Sequence, residues 1–206
     1  MGEISIPQKG KKLFLDTGNN YECAHFGWGD IDTEFFGYME GYKTSADDLI
    51  EKAVKSQNVK ITDTYVFPIC FLYRQYLELV MKYIYISFSE KNKGEKESTL
   101  NKTNHNLYKI WNEIKLILTD HLTIKDKEDI KIVEDYINQF NMFDKSSLTF
   151  RYPITKNLDK VLTDEERLNL VNLKNRMDEL YNYFNGCIAY LVEVTTYKVE
   201  MLREYF

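Results

Sequence analysis

The sequence is poor in residues that break secondary structure and in those that most often carry chemistry. Seven of its nine glycines (2, 10, 18, 27, 29, 37 and 41) lie in the first 41 residues, and the remaining 165 hold only Gly94, Gly186, Pro68 and Pro153. Such sparse punctuation over so long a stretch favours helices. Cys23, Cys70 and Cys187 are an odd and widely spaced set, which argues against a secreted disulfide framework and predicts thiols in a reducing cytosol. There is no P-loop glycine pattern, no G-x-G-x-x-G, no G-x-S-x-G, no H-E-x-x-H and no paired C-x-x-C. With only His25, His105 and His121, metal and general-base proposals are few. Cys23-Ala24-His25 offers two ligands, too few for a zinc site, so no metal or other cofactor is expected.

Charge of one sign is not in excess. Lys and Arg number 27 against 32 Asp and Glu, and the net charge of −5 gives no overall footprint for polyanion binding, so any nucleic-acid role has to be local. What is abundant is apolar: 44% of the 206 residues, with 15% aromatic, fills a single core and excludes a disordered chain. The N-terminus lacks a basic region followed by an apolar run and places Ile6 where myristoylation needs Ser or Thr, so neither a leader nor an acyl anchor is expected. Tyr65 to Phe88 is 24 residues of which 18 are apolar, yet Arg74, Glu78 and Lys82 sit in its middle, each costing about 2.5 to 3.5 kcal/mol at a bilayer centre. The segment reads as a buried core helix, with no membrane.

Residues 1–32 read as an irregular N-terminal segment, with Lys12 to Leu15 its one strand candidate, and 33–206 as a single helical-bundle domain. The apolar spacing predicts helix one over Thr33 to Ser56, whose Gly37-x-x-x-Gly41 leaves a groove for close approach by another backbone. Helix two follows Asp63 and Thr64, with Pro68 in its early part and Arg74, Glu78 and Lys82 as one narrow polar stripe. Ser89 to Asn104 is polar and aperiodic and reads as an exposed loop. Helix three carries Leu107, Ile110, Trp111, Ile114, Ile117 and Leu118; helix four carries Ile130, Val133, Ile137 and Phe140. After a loop holding Phe150-Arg151-Tyr152-Pro153, the capping box Thr163-Asp164-Glu165-Glu166 opens helix five. From Asp164 to Phe206 it would be about 65 Å long at 1.5 Å per residue. A helix of that length has to bend near Asn185-Gly186 or project and pair with a second chain, which predicts a homodimer.

The stripe on helix two is the most informative local feature. An Arg, a Glu and a Lys on one face of an apolar helix form a structural ion-pair ladder, or Arg74 lines a polar cleft and holds a phosphate or carboxylate. His105, just before helix three, serves as an acid or base, or only hydrogen-bonds the helix start. Arg151 either stacks and reaches a carboxylate such as Glu78, or presents its fork to a phosphate.

The run Phe67-Pro68-x-x-Phe71-Leu72-Tyr73-Arg74-Gln75-Tyr76-Leu77-Glu78-Leu79 with Lys82, then His105-Asn106-Leu107-x-x-x-Trp111, then Phe150-Arg151-Tyr152-Pro153, resembles the HEPN-like superfamily of small bacterial helical proteins. The resemblance covers most of the chain from Thr33 onward. It implies an all-α bundle of about five helices, frequent homodimers, and families that include RNases of toxin and phage-defence systems. The superfamily's RNase motif is an Arg followed after four to six residues by His, and none of Arg74, Arg151, Arg167, Arg176 or Arg203 has a histidine there. The catalytic pair therefore does not carry over. Two expectations follow: a cytoplasmic effector acting on or binding RNA through His105, Arg151, Arg74 and Glu78, or a non-catalytic subunit of such a system that dimerises or binds a partner protein.

Overall fold

The computed structural model describes residues 5–121, 126–144 and 147–205. Met1–Ile4, on which the reading of the extreme N-terminus rests, lie outside them, as does the side chain of His121. The chain divides into a unit ending at Glu34 and a second from Phe35 onward. The described part of the first unit is mostly turns and extended backbone, and Lys12 to Leu15 form no strand there. A hydrogen-bonded turn forms at Asn19 to Cys23, and at the end of the unit the Asp30 carboxylate accepts from the Thr33 amide at 2.8 Å and the Thr33 hydroxyl at 2.6 Å. The bonds to Asp30 cap α1 (Ile31–Ser56) and hold the Asp30 carboxyl below its ordinary range.

The described residues form an all-α structure, with α1 followed by α2 (Val59–Phe88), α3 (Lys93–Thr103), α4 (Leu107–His121), α5 (Asp126–Phe143) and α6 (Leu170–Tyr205). No strand forms among them beyond the isolated bridge of Ile154 with Lys160. α2 is the centre, with Ile69, Tyr73, Leu77, Met81 and Ile84 fully buried. It packs against α4, α6 and α3, and α4 in turn against α5. Each large apolar side chain so enclosed contributes roughly 1.5 to 3 kcal/mol. The rings of Trp111 on α4 and Phe184 on α6 meet edge-on at 6.4 Å, and Tyr76 meets Tyr181 at 6.0 Å. No helix among the described residues is long and apolar enough to cross a membrane. No disulfide forms among the three cysteines.

Three expected boundaries move. α2 begins at Val59, not after Asp63, because Asn58 in extended backbone takes the cap by accepting from the Lys60 amide at 3.0 Å. Pro68 is consequently inside the helix, where it deletes the bond to the Thr64 carbonyl. The polar run at 89–104 is largely helix α3: Asn92 and Glu95 form a reciprocal capping box, Lys96 donates to the Ile86 carbonyl at 2.7 Å, and Thr103 is buried. α6 begins at Leu170, not Asp164. The Thr163 hydroxyl is engaged by the neighbouring Asp164 carboxylate, and Asn169 caps the helix by accepting from the Asn172 amide at 3.0 Å.

α6 runs unbroken through Asn185-Gly186 for 36 residues, about 54 Å at 1.5 Å per residue. Its core-facing stripe of Met177, Leu180, Phe184, Cys187 and Leu191 ends at Leu191, and from Val192 to Arg203 no side chain is buried. At Gly41, where the glycine pair of α1 offered a groove, the space is open and no neighbouring atom fills it.

Candidate functional site

The polar stripe of α2 is closed on itself. Arg74 is fully buried, and its Nη1 donates to Glu78 Oε2 at 2.8 Å. Its Nη2 donates to the His105 carbonyl. Its Nε stands 3.3 Å from Asp144 Oδ2, an electrostatic contact whose N–H is not aligned as a hydrogen bond. Glu78 Oε1 receives Lys82 Nζ at 2.7 Å and faces His105 Nδ1 at 2.8 Å. Burial pushes the Glu78 carboxyl up, but the bonds from Lys82, Arg74 and His105 outweigh it and hold the group below the ordinary glutamate range.

Spacing on one helix explains part of this arrangement. Residues 74, 78 and 82 are successive i, i+4 neighbours, so the three side chains lie one above another on a single face of α2. His105 arrives from the corner between α3 and α4. Asn104 turns the chain with φ of +47°, and the Asn106 side chain caps α4 by accepting from the Lys109 amide at 2.9 Å. The corner is pinned from below, since Arg74 holds the backbone of His105 while Glu78 holds its ring.

Accessibility separates the members. The side chains of Arg74, Glu78 and Asp144 are at most 6% exposed, that of Lys82 is 21% exposed and that of His105 is 51% exposed. A ligand from solvent meets the imidazole and the Lys82 ammonium; Arg74 has no exposed surface with which to touch it. Between the two readings of the stripe, the ladder describes Arg74 and Glu78, and the polar cleft reduces to His105 and Lys82.

Arg151 stands elsewhere. Its Nε donates to the Ser147 carbonyl and its guanidinium lies over the Tyr152 ring at 5.6 Å, so it stacks without the carboxylate partner expected together with stacking, the Glu78 oxygens being taken by Arg74, Lys82 and His105. It lines a separate recess of about 300 Å³ with Phe67, Tyr152 and Lys160.

Asp144 was not legible as a member. It follows the last turn of α5 with its amide on the Phe140 carbonyl, and its Oδ1 accepts from the amides of Leu148 at 2.8 Å and Thr149 at 3.2 Å. One carboxylate thus fixes the start of the segment after α5 and faces Arg74. Its charge lies near Cys70, whose thiol is pushed up to about 12, chiefly by burial and then by Asp144.

A second polar cluster, with Lys43 and Tyr73 buried at its centre, joins α1, α2 and α6. Lys43, 4% exposed, bonds Asp47 and Asp178 at 2.6 Å each, and the Tyr73 hydroxyl donates to Asp47 at 2.6 Å. The Lys43 ammonium also lies 5.3 Å from the Tyr181 ring centroid. Burial, followed by the bond to Asp47, drives the Tyr73 phenol far above its ordinary value, so it stays protonated. The i, i+4 spacing of Lys43 and Asp47 was the available sequence signal; the reach to Asp178 had none.

Comparisons of the chain with models of protein families, with curated proteins and with solved structures gave no match.

Proposed function

We propose that this chain is a HEPN-like, cytoplasmic component of a bacterial defence or toxin system that acts on RNA without the superfamily's Arg and His pair. The observation that carries the reading is the half-exposed His105 ring held at 2.8 Å by a buried Glu78 carboxylate. Glu78 is kept ionised by Lys82 and Arg74, so Nδ1 is the donor in that contact, and the imidazole works as a base in the tautomer that leaves Nε2 unprotonated. In RNA cleavage, Nε2 takes the proton of a ribose 2′-hydroxyl as its oxygen attacks the adjacent phosphorus. The 5′-oxygen departs with a proton from solvent. Lys82, beside the same carboxylate, faces the charge that grows on the phosphate. Arg74 acts through Glu78 and the His105 backbone as a positioning residue.

General acid or base help is worth roughly a hundredfold to ten-thousandfold, so His105→Ala lowers RNA cleavage or cellular toxicity by that order with the melting temperature nearly unchanged. Intact activity in that variant sinks the assignment.

The second reading, a non-catalytic subunit that dimerises or binds a partner protein, is favoured by one observation. Beyond Leu191, α6 leaves Val192, Val199 and Leu202, which share one side of the helix, between 44% and 61% exposed. A second copy of the chain covers that face in a homodimer. A wild-type protein inert toward several RNA substrates but dimeric in solution moves the assignment to this reading.

A further inference from the structure

Arg74 ties three parts of the bundle together. Nη1 meets Glu78 on its own helix, Nη2 the His105 carbonyl at the corner between α3 and α4, and Nε faces Asp144 directly after α5. Arg74, Glu78 and Asp144 are all buried, where a change at one charge is felt strongly by the next.

The contact with Asp144 is unfinished. Nε lies 3.3 Å from Oδ2, yet its N–H is out of line and has no hydrogen-bond partner among the described residues. Asp144 is turned to another task, since Oδ1 accepts from the amides of Leu148 at 2.8 Å and Thr149 at 3.2 Å. A buried donor without an acceptor is costly, and a small rotation of Asp144 satisfies Nε at the expense of the two amides. Asp144 is thus shared between Arg74 and the loop after α5, as Glu78 is shared between Arg74 and His105.

The geometry points to Asp144 as a positioning residue for His105, acting through Arg74 and Glu78, so that the loop beginning at Leu148 and the imidazole shift together. As a statement about catalysis this rests on the RNA reading of His105; as a statement about position it does not. Among the described residues, Glu78 and, on the same oxygen, Lys82 face the ring from α2, Arg74 holds its backbone, and no ion pair from α3, α4 or α5 reaches it. A proton from solvent on Nε2 makes the contact of Nδ1 with Glu78 Oε1 charge-assisted and draws the carboxylate away from Arg74 Nη1. Arg74 then turns to Asp144, and Oδ1 loosens its hold on Leu148 and Thr149. The coupling is reciprocal: a displacement of Thr149, Phe150 and Arg151, which line the small recess, reaches the ring by the same route.

Magnetic resonance of the isotopically labelled full chain tests this without RNA. Between about pH 8 and pH 5 histidine is the side chain that ordinarily changes charge, and this chain has three. In the wild type the Leu148 and Thr149 amide protons move upfield with the same midpoint as the His105 ring resonances. In Asp144→Asn and in Glu78→Gln the ring still titrates, but the two amides no longer follow it. Wild-type amides that do not track the ring, or tracking that persists in either variant that folds, overturn the proposal. RNA cleavage keeps the two claims apart. A wild type inert toward RNA whose amides follow the ring ends the RNA reading and supports the coupling, whereas an active wild type whose amides ignore the ring ends the coupling alone.

Discussion

Oε1 of Glu78 lies 2.8 Å from Nδ1 of His105, and the same oxygen lies 2.7 Å from Lys82 Nζ. The other oxygen of that carboxylate is 2.8 Å from buried Arg74. A surface imidazole, a partly exposed ammonium and an enclosed guanidinium therefore depend on one anion.

Removing that anion costs more than removing the ammonium. Glu78→Ala leaves Arg74 with Asp144 as its one facing carboxylate, and breaking a buried pair destabilises by about 3 to 5 kcal/mol. Lys82→Ala removes a partly exposed partner worth under about 1 kcal/mol. Denaturant midpoints of the two variants check the ranking; equal, small shifts contradict it.

Acid reads the same group. Glu78 has a folded-state value below its ordinary 4.5, so the unfolded chain binds the proton first as pH falls. Its stabilising contribution is complete above about pH 4.5 and is lost as pH descends through the lower native value. Thermal melts from pH 6 to pH 3 show this loss in the wild type. In Glu78→Gln the slope is shallower and the stability at pH 6 is lower.

Asp144→Ala acts in two places. It frees the Leu148 and Thr149 amides and removes one of the two carboxylates facing Arg74. Limited proteolysis within 147–169 is accelerated, and the stability loss is about 3 kcal/mol or more. Asp144→Asn, which keeps an acceptor for the two amides, restores protease resistance more fully than stability.

The sequence revealed the face of α2 and the order of the helices because both depend on spacing: three charges four apart, and apolar stripes in what became α4 and α5. It misplaced ends, where competing caps decide. Thr163-x-x-Glu166 has the form of a capping box, but Asn169 lies directly before the apolar run that enters the core, and packing selected it. Asn92 and Glu95 carried the same signal inside a run without an apolar stripe, so α3 was passed over. Asp144 and Asp178 reach their clusters through tertiary approach, which no local period encodes.

The exposed end of α6 sets the expectation for assembly. Light scattering at micromolar concentration gives twice the 24.5 kDa chain mass for the wild type, and Val199→Asp with Leu202→Asp returns it to one chain. A wild-type mass of 24.5 kDa removes the homodimer.

Pro68 gives α2 an uneven mechanical character. Its missing amide leaves the turns from Val59 to Phe67 tied to the remainder of the helix by one backbone bond fewer, and among them only partial burial is found. The turns after it hold Ile69, Tyr73 and Leu77 with no exposure at all. Amide hydrogens on the two sides of the proline should therefore exchange in separate kinetic classes, the early turns opening while the later ones wait for global unfolding. Val66 and Phe67 belong to the class expected to open first, and their opening leaves in place the carboxylate that holds His105 two turns and more further along.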